Sequence, residues 1–341
     1  VKAARLTGVG EIHLVDEPVP TPGPGEALVR VSAVGLCGSD LHWFDQGGIG
    51  DARLSRPLVL GHEFGGTVEG GPLDGQRVAV DPAIPDNVCE SCREGNNNLC
   101  PDVRFAGHGA TDGGLREYVA WPTDLLHQVP GTFSDGAVAL LEPLGVAFHS
   151  FDLGHVRYGS AVAVVGCGPI GLMIIQVARS AGAASIVAVE PLAHRRQAAA
   201  RCGADVVLSP AEANASGLQV DVSFEVSGSE EAVRTSMVLV RAGGRIVLAG
   251  IPDDDRTSFP AALARRKGLT IAVVRRMKDA YPRAISAVER GLIELDWLVT
   301  SFFALADVAE AFRVASRREG LKTVVQIGTP WGVSTAKGGP I

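Results

Sequence analysis

The amino-acid sequence predicts an α/β protein of two domains, one β-rich and one a doubly wound parallel sheet with helices on both faces. Length is the first ground, since 341 residues exceed what a single hydrophobic core ordinarily organises. The second is a change of rhythm near Gly159, where short β-rich runs give way to alternating strand and helix. The third is the 42 glycines, which imply many tight turns and close backbone approaches rather than a helical bundle.

In the first third, residues 27–31, 66–69 and 76–80 are short runs rich in β-branched residues, separated by Gly and Pro; they read as a barrel or an irregular sheet. A strand over 161–165 then leads into a helix reaching residue 178, and a strand over 186–189 into a helix around 195–201. Further strands are expected at 206–208, 222–226, 245–249 and 269–274. Alternation of this length builds a parallel sheet covered on both faces. Helical runs at 284–291 and 305–317 and a strand at 323–327 are expected to return to the first domain, and 334–341 reads as a loose tail.

Composition narrows the function. With 46% apolar and 20% charged residues the chain is globular, and a net charge of -7 argues against nucleic acid, whose phosphates need a basic face. Six cysteines, three of them crowded at 89, 92 and 100, suit metal binding in a reducing compartment better than a disulfide scaffold. The stretch 161–178 is long enough to raise a membrane span, but its glycines and Pro169 fit a strand, a turn and a helix. No apolar leader follows Val1, so a cytoplasmic protein without a membrane partner is expected.

Two clusters carry chemistry. Cys37, followed by Ser39, Asp40 and His42 and then by Gly61-His62-Glu63, offers a thiolate, an imidazole and a carboxylate to one point. That is the ligand set of a catalytic zinc, which takes three protein ligands and leaves the fourth position open. The plainer alternative is a buried free cysteine and a core histidine. The second cluster is Gly166-Cys167-Gly168-Pro169-Ile170-Gly171, which ends a strand and opens a helix. Its first glycine permits the turn, its second lets a pyrophosphate approach the backbone, and its third lets helix and strand pack, while the helix amides hold the phosphates. Glu190, at the end of the next strand, suits the ribose hydroxyls of NAD and disfavours a 2′-phosphate. Arg195 and Arg196 are within reach of such a phosphate, which leaves NADP open, although an exposed helix face explains them as well. Cys167 reads as a small packing residue.

With these motifs in one order, and with Leu141-Glu142-Pro143-Leu144 between them, the chain resembles the zinc-dependent medium-chain dehydrogenases, and more narrowly their sorbitol (L-iditol) and polyol dehydrogenase branch. The resemblance implies a GroES-like catalytic domain over 1–144, to which 286–341 returns, and a Rossmann NAD-binding domain over 145–285. It implies zinc ligation by Cys37 and His62, with Glu63 and Glu142 as the carboxylates at the metal, one direct and one through water. Asp40 would fix the tautomer of His62, Ser39 would bond the substrate hydroxyl, and His42 would relay its proton, unless His42 is a surface histidine. Phe105 and Arg275 would line the substrate pocket; His108 sits in the same loop as Phe105, and Trp43 and Arg276 stand where that branch often has tyrosines.

The family's four-cysteine lobe for a structural zinc is represented here by Asp86, Cys89, Cys92 and Cys100. A site of three thiolates and one carboxylate keeps the charge of four thiolates; loss of the metal is the opposing possibility. The expected activity is oxidation of a secondary hydroxyl of a polyol by NAD, in a dimer or tetramer. A sugar, cyclitol, aminocyclitol or threonine dehydrogenase, or a non-catalytic nucleotide-binding protein, are the alternatives.

Overall fold

The computed structural model describes residues 1–328. Six parallel strands form one sheet, in the spatial order Val206–Leu208, Ser185–Val189, Ala161–Val165, Val220–Glu225, Val240–Leu248 and Thr270–Val273. Chain order reverses between Ala161–Val165 and Val220–Glu225, and at such a switch point the carboxyl ends of adjacent strands open a crevice. The helices Pro169–Ser180 and Leu141–Gly154 bury one face of this sheet, and Glu230–Leu239 helps bury the other. The apolar stretch considered as a membrane span is thus a strand, a turn and a buried helix. Among the described residues, no helix is long and apolar enough to cross a membrane.

The second large sheet is antiparallel except at one edge. Its order is Leu126–Gln128, Arg77–Val80, Glu63–Glu69, Glu26–Gly35, Lys322–Gln326 and Val299–Ala304, with Tyr118–Pro122 also on Glu26–Gly35. The late strand Lys322–Gln326 pairs antiparallel with the early one, Val324 opposite Gly35, so residues nearly three hundred positions apart share a ladder. Tyr281, 1% exposed, ties the coenzyme-side helix Tyr281–Glu289 to this sheet by donating its hydroxyl to Val80 O at 2.6 Å.

Several elements depart from the expected ones. The expected strand 27–31 runs on to Gly35 through an irregularity between Val31 and Ala33, where a bulge lets small residues continue the ladder. The helix expected from 305 begins instead at Val308, after a 3₁₀ turn over Leu305–Asp307. Helix Leu141–Gly154 and strand Val299–Ala304 were not expected; Pro143 lies in the first turn of that helix, where its missing N–H costs no bond. The tail expected at 334–341 lies outside the described residues.

Candidate active site: a candidate metal cluster and a glycine turn

Cys37 caps the helix Gly38–Gln46, and His62 and Glu63 stand where strand Glu63–Glu69 begins. The turn that delivers them uses Gly61 at φ +92, where a Cβ would come within 2.6 Å of Val34. One ligand atom from each of Cys37, His62 and Glu63 lies within 4.8 Å of the others. His62 and Glu63 are buried and Cys37 half-buried.

Asp40, 1% exposed, organises this cluster. Its Oδ2 accepts the Cys37 amide at 2.9 Å, its Oδ1 accepts the Gly61 amide at 3.2 Å, and Oδ1 lies 3.4 Å from His62 Nδ1. That leaves His62 Nε2 facing the cleft, 3.5 Å from Ser39 Oγ. Burial opposes charge on both partners. It is outweighed: His62 and the two amides hold Asp40 below the usual carboxylate range, while Asp40 and the Cys37 sulfur lift His62 well above its ordinary value. A pocket that attracts a proton this strongly also attracts a cation, and a metal ion binds by displacing that proton.

The two carboxylates differ. Glu63, 1% exposed, accepts Lys322 Nζ at 2.7 Å on Oε1 and contacts the same ammonium through Oε2. The sequence gives no local sign of Lys322, which arrives from the last strand and lies 4% exposed. Gly35 makes the room, since a Cβ there would sit 2.2 Å from Glu63 Oε2. Glu142, 5% exposed in the first turn of its helix, is outside the 4.8 Å cluster. Burial, reinforced by the charges of Glu63 and Asp81 and opposed by His62 and Lys322, pushes its carboxyl up to about 8, so it carries a proton at neutral pH.

Because breaking a buried ion pair leaves an uncompensated charge, Lys322→Met is expected to destabilise the protein by about 3–5 kcal/mol. Adding Glu63→Gln should recover most of that loss in the double variant. Urea unfolding of the four proteins in this cycle checks it; a loss below about 1 kcal/mol in the single variant would show that the pair is not buried in solution.

Around the cluster, the Phe105 ring centre stands 5.3 Å from that of His62, and Trp43 meets His108 edge-on at 5.4 Å. His42 Nδ1 lies 3.8 Å from the exposed Asp253, on the solvent side. Arg275 is itself exposed, with its carbonyl held by Asn98 Nδ2 at 2.9 Å, while Arg276 lies over Phe105 with its guanidinium carbon 4.9 Å from the ring centre.

At the switch point, Gly166 has φ +99 and lies against the Ser227 amide, and Gly168 caps the helix that begins with Pro169 and Ile170. A Cβ on Gly171 would stand 2.0 Å from Gly166 O, so only glycine lets helix and strand close together. Gly168 differs: the nearest atom to its Cβ is Arg195 Nη1 at 3.8 Å, which leaves space above the turn. Glu190, 4% exposed, accepts the amides of Cys167 at 2.8 Å and Leu192 at 3.0 Å. Cys167 is wholly buried in the core. The two arginines are half-buried rather than exposed: Arg196 donates to Glu190 O and Pro191 O, whereas Arg195 keeps a buried Nε without a hydrogen-bond partner beside the glycine turn. Glu225, which the sequence did not single out, braces the neighbouring loop by accepting the amides of Ser227 at 2.7 Å and Gly228 at 2.8 Å.

In the lobe, ligand atoms of Asp86, Cys89, Cys92 and Cys100 lie within 4.8 Å of one another, and all three cysteines are free. Asp86 Oδ1 accepts the amides of Cys89 and Val88, which hold its carboxylate ionised. Burial, then Cys89 and Asp86, push the Cys92 thiol up to about 12, so at neutral pH it carries a proton that a metal would have to displace.

A nucleotide-binding parallel sheet joined to a β-rich domain that holds a thiolate–imidazole–carboxylate cluster defines the class of a metal-dependent dehydrogenase. Residues 23–131 match the alcohol dehydrogenase GroES-like domain and residues 169–290 the zinc-binding dehydrogenase domain. The chain is 33% identical to the sorbitol dehydrogenase of Bacillus subtilis (strain 168) over 95% of its length and 97% of that protein's. It is 35% identical to the sorbitol dehydrogenase of Homo sapiens, covering 94% of each. The L-idonate 5-dehydrogenase of Escherichia coli shares its fold with a TM-score of 0.90 at 29% identity, covering 96% of this chain and 98% of that one. The chain belongs to the zinc-dependent medium-chain dehydrogenases, and is an oxidoreductase.

Proposed function

We propose that the protein oxidises a secondary hydroxyl of a polyhydroxylated substrate to a ketone with NAD, using a zinc ion held by Cys37, His62 and Glu63. The observation that carries this is the convergence of those three ligand atoms within 4.8 Å, with Asp40 fixing the imidazole. The fit to zinc is chemical, since sulfur, nitrogen and carboxylate oxygen are the donors this ion takes. When bound, zinc supplies Lewis acidity toward a hydroxyl, and the nicotinamide supplies a hydride acceptor.

The chain's own residues do the rest. Asp40 accepts Nδ1–H of His62, so the imidazole presents the lone pair of Nε2. Ser39 Oγ, 3.5 Å from that nitrogen, is placed to take the hydroxyl proton of the substrate, and His42 passes it outward toward Asp253 and solvent. Glu142, whose charge is felt by His62 and Glu63, is the second carboxylate of the site, while Lys322 limits the negative charge that Glu63 brings. Phe105 walls the cleft on the His62 side, and Arg275 and Arg276 meet the polar end of the substrate.

Gly166, Gly168, Pro169, Ile170 and Gly171 form the dinucleotide turn. Glu190 is the acceptor for the ribose hydroxyls, and Arg195, whose Nη1 would stand 3.8 Å from a Cβ on Gly168, is placed to donate to the dinucleotide. The similarity to sorbitol dehydrogenases supports a polyol over a simple alcohol. The open edge strand Thr270–Val273, with Val273 73% exposed, supports pairing with a second copy. Initial rates of NAD reduction across hexitols, pentitols, inositols and simple secondary alcohols test the reading, together with zinc content. Stoichiometric zinc without turnover of any alcohol would favour a non-catalytic nucleotide-binding protein.

Asp86, Cys89, Cys92 and Cys100 are proposed to hold a structural zinc. Asp86→Ala is then expected to lose the lobe's zinc while keeping that of the cleft, and to unfold at a lower temperature. Metal analysis paired with thermal denaturation measures both, and unchanged zinc content in the variant would remove Asp86 from the ligand set.

A further inference from the structure

We propose that the cleft is built for an anionic polyol, one bearing a carboxylate or a phosphate, with the Arg276 guanidinium holding the anionic group. This rests on the dehydrogenase reading above and narrows its substrate class. Arg276 stacks on Phe105, whose other neighbour is His62, so its charge lies one ring away from the metal ligands. Among the described residues, no carboxylate forms an ion pair with Arg275 or Arg276; the polar partner of Arg276 is a carbonyl, Asn98 O, 3.4 Å from Nη1. The nearby acid Asp81 is turned to its own loop, where Oδ1 accepts the Ala83 amide at 3.0 Å, and burial lifts its carboxyl to about 6.

The placement is enforced. Arg276 has φ +54, a left-handed conformation a non-glycine residue adopts only where its surroundings demand it. Asn98, 6% exposed on the metal lobe, donates to Arg275 O at 2.9 Å while its own carbonyl receives Arg276, and Lys278 Nζ donates to Asn96 Oδ1 at 2.7 Å. The lobe therefore fastens the arginine segment to the cleft. His108 feels the result: burial, then Arg276 and Arg275, then His62 hold it below its ordinary pKa.

In a chain of net charge -7, two adjacent guanidiniums without a carboxylate ion pair, Arg275 exposed and Arg276 half-buried, are a local reversal of sign. A neutral polyol gives each only hydroxyl acceptors. An oxyanion gives charge-assisted bonds, roughly twice as strong, and removes the repulsion between the two cations.

The test compares NADH formation by the wild-type enzyme on stereoisomer panels of hexitols, hexonates and hexitol 1-phosphates, at low and high salt. A kcat/KM at least about tenfold higher for the best anion, and falling as salt rises, supports the proposal. Preference for the hexonate or for the phosphate identifies which oxyanion is read. Arg276→Asn, which suits the left-handed backbone, should shrink the anionic-to-neutral ratio of kcat/KM by about tenfold, mainly through KM, and Arg276→Lys should retain more of it. A hexitol used as well as either anion, or a ratio unchanged in Arg276→Asn, overturns the proposal and leaves the polyol reading intact. NADH from none of the three panels overturns both.

Discussion

Cys37→Ser is expected to empty the cleft of zinc and to lower kcat/KM by about 10³-fold or more, equivalent to about 4 kcal/mol of lost transition-state stabilisation. The replaced atom is the only sulfur in the cluster, and a serine hydroxyl is a poor ligand for this ion. The fold should survive. Cys37 is half-buried, and the carboxylate of Asp40, which accepts the Cys37 amide, continues to cap the helix. Zinc analysis, circular dichroism and initial rates separate these effects, and wild-type zinc and turnover in the folded variant would refute the site. Asp40→Asn should give an intermediate result, about 10–100-fold weaker zinc binding, because it disturbs the histidine tautomer without removing a ligand.

Gly171→Ala should damage both stability and coenzyme binding. Its methyl would stand 2.0 Å from Gly166 O, and that oxygen belongs to the backbone, so helix and strand must part. A cost of about 1–3 kcal/mol or more follows, together with loss of NADH binding as the turn deforms. Gly168→Ala separates the two effects. Its backbone, at φ -69 and ψ -176, accepts any residue, and its methyl meets nothing closer than Arg195 Nη1 at 3.8 Å. Stability should therefore change by no more than about 0.5 kcal/mol while NADH affinity falls, because the methyl occupies space meant for the pyrophosphate. Urea unfolding and NADH fluorescence titration decide this; equal NADH affinity in Gly168→Ala and wild type would place the dinucleotide elsewhere.

The parallel sheet was legible because most of its strands hold a short apolar stretch bounded by turn residues; Val206–Leu208 coincides with the expected range, whereas the strand expected at 245–249 begins earlier, at Val240. Strand Val299–Ala304 was not, since Thr300 and Ser301 dilute its pattern and its identity as a strand comes from pairing with Lys322–Gln326. Helix Leu141–Gly154 was hidden by Pro143, which reads as a breaker until its place in the first turn is known. At the site, the sequence offered Cys37, His62 and Glu63 to one point, because soft and hard ligands at characteristic spacings are a local signal, whereas Glu142 entered only through the family resemblance. It named no counter-ion for Glu63, because Lys322 lies 259 residues away and looks locally like any strand lysine.

By itself the sequence determined the two-domain α/β architecture, the glycine turn with its acidic partner and the residue types gathered for a metal. Periodicity and spacing are properties of neighbouring positions, so they need no fold to be read. Only the tertiary structure decided that Glu63 is neutralised, that burial raises the carboxyl of Glu142, and that Asn98 fastens Arg275 and Arg276 beside Phe105. Charge interaction and desolvation depend on distance and burial, and those exist only once remote segments have been packed together.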